Sequence, residues 1–330
     1  MNEEKLVTIN KDTKNIKNIK NIKSIKSIKH IVLSGGGHVG FTQCAILKTL
    51  YENNFYQFDN IETIYAASAG AILGVILSLN HNFDDLMEYI IDRPWHESIE
   101  LDISNFLNFY QDKGIFKDEI FVTILKPLLC AKDLHINSTL KDLYSVSKIE
   151  LNIFSTKMEE FSAYKMNYKT HPNMTILQAI HMSAAIPFIF QPVFYDNQCF
   201  MDGGIVNNYP LEMCLNEQQC SKYEILAINN NIKNKKHNKL HKLTPTSNVV
   251  DVCMLFFSHY SILRHQIKQL LKESEQIKIP YELQTYTNGI NIDELYQCAT
   301  NKDKRKLLLD EGSVAAQSFL KYLDNISNNV

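Results

Sequence analysis

The chain lacks an apolar run long enough to span a bilayer: the longest, Ala66 to Leu79, is too short and is broken by Ser68 and Ser78. No apolar signal core follows the first residues. No Cys-x-x-Cys pair occurs among its seven cysteines, an odd count that argues against a disulfide framework and for a reducing compartment. There is no His-Glu-x-x-His and no Cys/His cluster, so no metal and no cofactor are expected. His237 and His241 share i, i+4 spacing but lie in a lysine- and asparagine-rich stretch, which reads as solvated. Net charge is nearly absent too: 34 basic against 36 acidic residues give −2, which offers no general reason to expect nucleic acid as a partner. Tryptophan occurs once, as Trp95 after Arg93-Pro94, where a membrane interface is one reading. These absences together predict a cytoplasmic protein with no transmembrane helix, for which peripheral contact with membranes stays open.

What is present begins with a core: 330 residues, 45% of them apolar and 21% charged, have globular composition. Charge is unevenly spread. Residues 1–29 carry eight lysines against Glu3, Glu4 and Asp12, about +5, on a body of roughly −7. Residues 14–29, KNIKNIKNIKSIKSIK, repeat with period three. Isoleucines at that period drift around a helix by about 60° per step and miss the strand period of two, so they form no single buried stripe. Residues 1–29 therefore read as a flexible, basic, low-complexity arm, with a lysine-rich membrane tether as the alternative.

From His30 the pattern changes to strand, loop and helix in alternation. HIVLS (30–34) is a strand running into glycines, 41–53 a helix, IETIYAA (61–67) a second strand and 69–79 a second helix. That alternation predicts an α/β fold, a mostly parallel sheet covered on both faces. Residues 83–147 read as mostly helical and end in TLKDLYSVS, where Thr139 can cap a helix. Within them Phe106, Phe109, Tyr110, Ile115, Phe116 and Phe121 read as core or as an acyl-binding wall. ELNIFSTKM and FSAYKMN read as paired strands, TILQAIHMSAAIP as a helix stopped before Pro187, and FMDGGI as a strand end. Residues 210–220 read as helix and YEILAIN as strand. The last 80 residues read as largely helical, with a packing helix around 251–271 that uses Val252, Leu255, Phe256, Ile262 and Leu263.

Three short stretches carry chemistry. In IYAASAGA, Ala66-Ala67-Ser68-Ala69-Gly70 fits the nucleophile-elbow pattern G-x-S-x-G except for Ala66 in the first glycine position. A strand turning sharply into a helix presents the serine hydroxyl at the positive helix end; an incidental serine in a small-residue junction remains the alternative. In SGGGHVG, Gly35, Gly37 and Gly40 satisfy G-x-G-x-x-G, formally a dinucleotide fingerprint. That use wants an acidic residue at the end of the next strand, which here ends in alanines and Ser68. Successive glycines also let backbone amides converge on a small anion, as an oxyanion hole requires, and a purely structural turn is the third reading. In MDGGI, Asp202 stands before Gly203 and Gly204, either an ordinary turn or a carboxylate where strand ends meet loops.

Taken in order and spacing, with SAAIPFIFQP before the aspartate and NNYP after it, these stretches resemble the patatin-like phospholipase family over about residues 30–230. The resemblance implies a three-layer α/β/α patatin-like fold with a mostly parallel central sheet and an elbow serine. It implies a lipid acyl hydrolase of the phospholipase A or lysophospholipase type. Ser68 and Asp202 would be its catalytic dyad, with Gly35, Gly36, Gly37 and His38 at the oxyanion hole. The donors would be the amides of Gly36 and Gly37, with the amide after Ser68 as a further candidate. Gly40, Ala66, Gly70, Gly203 and Gly204 complete the motifs, and the substrate would be a phospholipid or lysophospholipid. Residues 30–230 would form the catalytic domain, and 231–330 a helical C-terminal extension packed on it. Two positions depart from the family pattern: Val39 stands where a basic residue is usual, and Ala66 where glycine is. Two alternatives follow. One is a Ser–His–Asp esterase drawing on His241, His259 or His265. The other is a non-catalytic lipid- or membrane-binding protein on the same scaffold.

Overall fold

In a computed structural model, the described residues are 7–9, 28–98, 109, 111–232, 244, 277–287 and 292–328, with single positions between 252 and 267. Among these residues there are eleven strands: β1 (Val7–Ile9), β2 (His30–Leu33), β3 (Thr63–Ala67), β4 (Gly114–Phe116), β5 (Glu150–Lys157), β6 (Ser162–Met166), β7 (Phe188–Phe190), β8 (Val193–Tyr195), β9 (Gln198–Asp202), β10 (Ile225–Ile232) and β11 (Tyr281–Thr287). Nine of them form one sheet in the order β1-β11-β10-β2-β3-β5-β9-β8, with β6 also on β5. The centre, β11-β10-β2-β3-β5, is parallel, and antiparallel strands flank it on both sides.

Strand alternation explains the layers. In β2 and β3, Ile31, Leu33, Ile64 and Ala66 point into one core with helices Val39–Glu52, Ala69–Ser78 and Ile176–Ala184. Val32, Tyr65 and Ala67 point the other way, into a second core with helix Leu211–Gln218. A strand buried on both faces must be apolar at consecutive positions, which is why HIVL and TIYAA read as runs. The architecture is three-layer α/β/α. Thr139 caps helix Leu140–Ser147 through a reciprocal capping box with Asp142, and Thr175 caps Ile176–Ala184.

Sequence and structure differ at three places. The C-terminal part is not helical throughout, because Tyr281–Thr287 forms β11 beside β10 before helices Ile292–Thr300 and Lys302–Asn328. Tyr281 and Leu283 are buried there, a strand alternation that the polar neighbours in YELQTYT masked. Within the arm, Val7–Ile9 pairs antiparallel with β11; nearly all of the KNI repeat lies outside the described residues. In the expected packing helix around 251–271, Val252, Phe256 and Leu263 are exposed rather than packed. Among the described residues, no helix is long and apolar enough to cross a membrane.

Candidate active site

The topology brings Ser68 and Asp202 together through one strand. β3 runs parallel to β5 with Ala67 opposite Phe154, so Ser68 emerges just past that end. β9 runs antiparallel to β5 with Asp202 opposite Ser155. Side chains 134 positions apart thereby meet, and Ser68 Oγ donates to Asp202 Oδ2 at 2.5 Å.

Ser68 is the hinge between β3 and helix Ala69–Ser78, with φ 53° and ψ −128°. That backbone region is sparsely populated, costs about 1–3 kcal/mol, and persists only where the surroundings enforce it. Ser183 does so. Its hydroxyl accepts from the Ser68 amide at 2.9 Å and donates to Phe154 O at 2.6 Å. Its carbonyl accepts from the Gly203 amide at 3.0 Å, so the same residue braces both halves of the pair. Ala66, buried in β3 between Leu33 and Ile153, accommodates its methyl group within the sheet core.

Asp202 is fixed from every side. Its amide donates to Ala185 O at 2.9 Å, its carbonyl accepts from Thr156 Oγ1 at 2.9 Å, and its Oδ1 accepts from the Gly204 amide at 2.6 Å. Gly203 must be glycine, since a Cβ there would stand 2.1 Å from Phe154 O. Burial pushes the Asp202 carboxyl up from 3.8 to about 6, against the lowering effect of the bonds from Ser68 and Gly204. The group is thus a stronger base than an ordinary carboxylate and still ionised at neutral pH.

The glycine loop stands over Ser68. Gly37 takes φ 55°, the left-handed region, and helix Val39–Glu52 starts directly after it with His38 as N-cap. Among the described residues nothing accepts from the amides of Gly36, Gly37 and His38. Gly35, expected at the oxyanion hole but not as one of its donors, has its backbone engaged elsewhere. Its amide is taken by Asn208 O at 3.1 Å, and its carbonyl accepts from Asn208 Nδ2 and Asn230 Nδ2, each at 3.3 Å. Gly35 anchors the loop, and Asn208, from the NNYP stretch, is the anchor. Gly40 lies in the first turn of the following helix, and Gly70 packs the second helix beneath the loop, near Ser34 O.

Charge near the loop comes from the C-terminal helices. His38 Nε2 lies 3.4 Å from Glu294 Oε2, which lies 3.4 Å from Lys304 Nζ. Burial lowers the His38 pKa more than Glu294 raises it, so the ring is neutral near pH 7. Val39, 3% exposed, packs beneath Gly36 and faces no solvent. Of the three histidines considered as triad members, His259 is exposed, and His241 and His265 lie outside the described residues.

Ser68, Ala69, Gly37, His38 and Gly40 border a cavity of about 370 Å³. Its walls are apolar: Ile72 and Ile76 on one helix, Ile115, Phe116 and Phe121 from the segment read as core or acyl wall, and Leu295 from the C-terminal part. Phe106 and Tyr110 lie outside the described residues. Trp95, 6% exposed, also lines this cavity, with Nε1 donating to Ile90 O at 2.9 Å, and does not reach a surface. Among the described residues no cluster of potential metal ligands occurs.

The family model for patatin-like phospholipase matches residues 31–215, more than half of the chain and all of the motifs above. The chain belongs to the patatin-like phospholipase family. An uncharacterized protein, R571, of Acanthamoeba polyphaga mimivirus is 23% identical over 84% of this chain and 93% of its own length. A probable lipid hydrolase, 463L, of Invertebrate iridescent virus 6 is 25% identical over 66% of this chain and 75% of its own. Among solved structures, VipD from Legionella pneumophila aligns with TM-score 0.46 and 18% identity over 87% of this chain and 67% of its own. The patatin-like match ends before β10, β11 and the C-terminal helices, yet these supply Leu295, Cys298 and Ala299 to the cavity wall.

Two residues of this patatin-like site escaped the motif reading. Ser183 and Asn208 were visible only as flanking letters in SAAIP and NNYP. Their roles are backbone bonds to residues far away in sequence, for which a single chain carries no spacing signal.

Proposed function

We propose that the protein hydrolyses carboxylic ester bonds of lipids, with Ser68 as nucleophile and Asp202 as general base. The observation that carries this is the direct Ser68–Asp202 hydrogen bond at the mouth of an apolar cavity. Ser68 Oγ attacks the ester carbonyl carbon while its proton passes to Asp202 Oδ2. The tetrahedral oxyanion is held by the amides of Gly36, Gly37 and His38, each donor contributing roughly 3–4 kcal/mol to the transition state. The C–O bond to the alcohol breaks and the leaving oxygen takes the proton from Asp202. Water then attacks the acyl-enzyme, losing its proton to Asp202, and Ser68 Oγ is released with that proton. The apolar walls exclude bulk water and seat an acyl chain, which favours phospholipids or lysophospholipids. The lipid hydrolase name of the iridovirus relative points the same way.

Hydrolysis of a panel of phospholipids, lysophospholipids and neutral lipids tests this, with Ser68→Ala and Asp202→Asn as controls. Wild type is expected to release fatty acid and to be labelled on Ser68 by a fluorophosphonate; both variants are expected to fall at least about a thousandfold. Equal rates in all three proteins would sink the proposal. Val39 favours a second reading, a lipid-binding protein without turnover, for which a Ser68 that resists labelling is the signature. A triad esterase would instead lose its activity on replacement of His259, His241 or His265.

A further inference from the structure

The cavity at Ser68 has a direction. Helix Ala69–Ser78 leads away from Ser68 and lines the cavity with Ile72 and then Ile76. Helix Ile292–Thr300 starts at the glycine loop, where Leu295 Cδ2 lies 3.1 Å from the place of a Cβ on Gly37, and lines the cavity again one turn on with Cys298 and Ala299. The carbonyls of those two residues accept from Arg305 Nη1 at 2.7 and 3.0 Å, while Arg305 Nη2 donates to Ile91 O at 2.5 Å. Ile124, on helix Glu119–Cys130, is tied to the same place, because its carbonyl accepts from Tyr89 Oη at 3.0 Å. Among the described residues, the lining therefore runs from Ser68 toward one segment, which contributes Tyr89, Ile90 and Trp95.

That segment is built as a firm stop. Trp95 Nε1 donates to Ile90 O at 2.9 Å, and the Trp95 ring meets the Tyr89 ring edge-on at 5.4 Å. The Arg93 guanidinium stands 5.2 Å from the Tyr89 ring centre and 5.8 Å from that of Trp95. Depth and volume then bound what fits in front of it. From Ser68 to Ile76 the helix advances about 12 Å at 1.5 Å per residue. An extended chain covers about 1.2 Å per bond, which makes that depth roughly ten carbons. The volume of about 370 Å³ is some two and a half times the ~150 Å³ that admits one benzene ring, or roughly fifteen carbons. Both measures describe one acyl chain, not two. We propose that Trp95 is the floor of a single-chain acyl site and restricts the substrate to chains of roughly ten to fifteen carbons, shorter than palmitoyl or stearoyl. The inference rests on the lipid hydrolase reading for the ester, not for the seating of the chain.

The full-length chain is tested on p-nitrophenyl esters graded from butyrate to stearate. In wild type, kcat/KM is expected to climb by about fourfold per added carbon toward laurate. From laurate to stearate it is expected to fall at least about tenfold. Trp95→Leu, which deepens the site, is expected to raise the palmitate-to-decanoate ratio at least about tenfold, and Ile76→Phe, which shortens it, to lower the laurate-to-hexanoate ratio by a similar factor. Ratios taken within each protein cancel a general loss of activity, and comparison across proteins on the same ester stocks cancels aggregation of the long esters. Trp95 is the sole tryptophan of the chain, so its emission reports arrival at the floor without any variant or turnover. Bromine quenches indole on contact: ω-bromoundecanoate is expected to quench wild type, and α-bromoundecanoate, with its bromine beside the carboxylate at Ser68, is not. Ratios unchanged in both variants overturn the proposal, as do rates that hold level from laurate to stearate, which mean an open far end. Equal quenching by the two bromo acids, or quenching by neither, overturns it as well. A wild type that hydrolyses none of the esters but is quenched by the ω-bromo acid alone supports the acyl floor and removes the hydrolase reading.

Discussion

Replacing Asp202 with asparagine is expected to stabilise the protein while abolishing its activity. Burial raises the carboxyl from 3.8 to about 6 in the fold, roughly two units. At about 1.36 kcal/mol per unit, the folded state bears on the order of 3 kcal/mol for keeping this group ionised. The sign follows from proton counts. Between pH 3.8 and about 6 the folded protein holds a proton that the unfolded chain has lost, so stability falls as pH rises through that window. Below it both states are protonated and the penalty vanishes; above it the penalty is complete. Asparagine keeps the shape, can turn its oxygen to the Gly204 amide and its NH2 to Ser68 Oγ, and carries no charge to desolvate. Denaturant unfolding at pH 8 is expected to show the variant more stable by about 2–3 kcal/mol, and unfolding at pH 4 to show little difference. In wild type, the proposed mechanism, in which the carboxylate accepts the Ser68 proton, leads to the expectation that kcat/KM rises to a plateau through an inflection near 6. A variant no more stable than wild type at pH 8, or a gain that ignores pH, would refute the reasoning that Asp202 is a desolvated base.

Other expectations follow from neighbouring geometry. Ser68→Gly and Ser68→Ala are both expected to be inactive, but the glycine variant should unfold at higher denaturant, by about 1 kcal/mol, because only glycine adopts φ 53° with ψ −128° without strain. Gly203→Ala is expected to cost at least about 2–3 kcal/mol and to lower fluorophosphonate labelling of Ser68, since its methyl group meets the Phe154 carbonyl. Arg305 is 2% exposed and donates to the carbonyls of Ile91, Cys298 at 2.7 Å and Ala299 at 3.0 Å. Arg305→Met leaves those acceptors without a partner and is expected to cost about 3–5 kcal/mol in chemical unfolding, with partial recovery in Arg305→Lys.

How much of this was legible in the sequence depended on range. β2, β3 and the two helices after them were readable because each is a local run with its own boundary: glycines after HIVLS, small residues after IETIYAA. The Ser68–Asp202 meeting was readable only by family resemblance, since it is made by the register of β5 against two other strands. β11 was missed because Glu282, Gln284 and Thr285 interrupt its apolar pattern; they are buried or half-buried beside polar residues of β10, with Asn229 Nδ2 donating to Glu282 Oε1 at 3.3 Å and Thr285 Oγ1 to Asn230 Oδ1 at 3.4 Å. A buried polar pair looks like a solvated loop until its partner strand is known. The packing expected around 251–271 failed in the opposite sense at Val252, Phe256 and Leu263, because periodic apolar residues say that a face is apolar and not what covers it.

The departure at Val39 is best judged by magnitude. A cation beside an oxyanion hole acts through a charge that water screens, and a valine 3% exposed cannot supply it. Two helices nonetheless begin at this cavity, one after His38 and one after Ser68, and neither has an acidic residue in its first turn to offset its positive end. Each such end contributes about 0.3–1 kcal/mol toward a nearby anion, rising to about 2 where water is excluded. In the hydrolase proposed here, amide donors at roughly 3–4 kcal/mol apiece exceed that contribution and need no cation to act. On that proposal the glycine loop and its Asn208 anchor do the work that a cation at position 39 would otherwise share. Asn208→Ala, which frees the Gly35 carbonyl from one of its two side-chain donors, is expected to lower kcat by about tenfold, the loss of roughly 1–1.5 kcal/mol of loop positioning, with KM little changed. A variant that keeps wild-type kcat would move that dependence elsewhere in the loop.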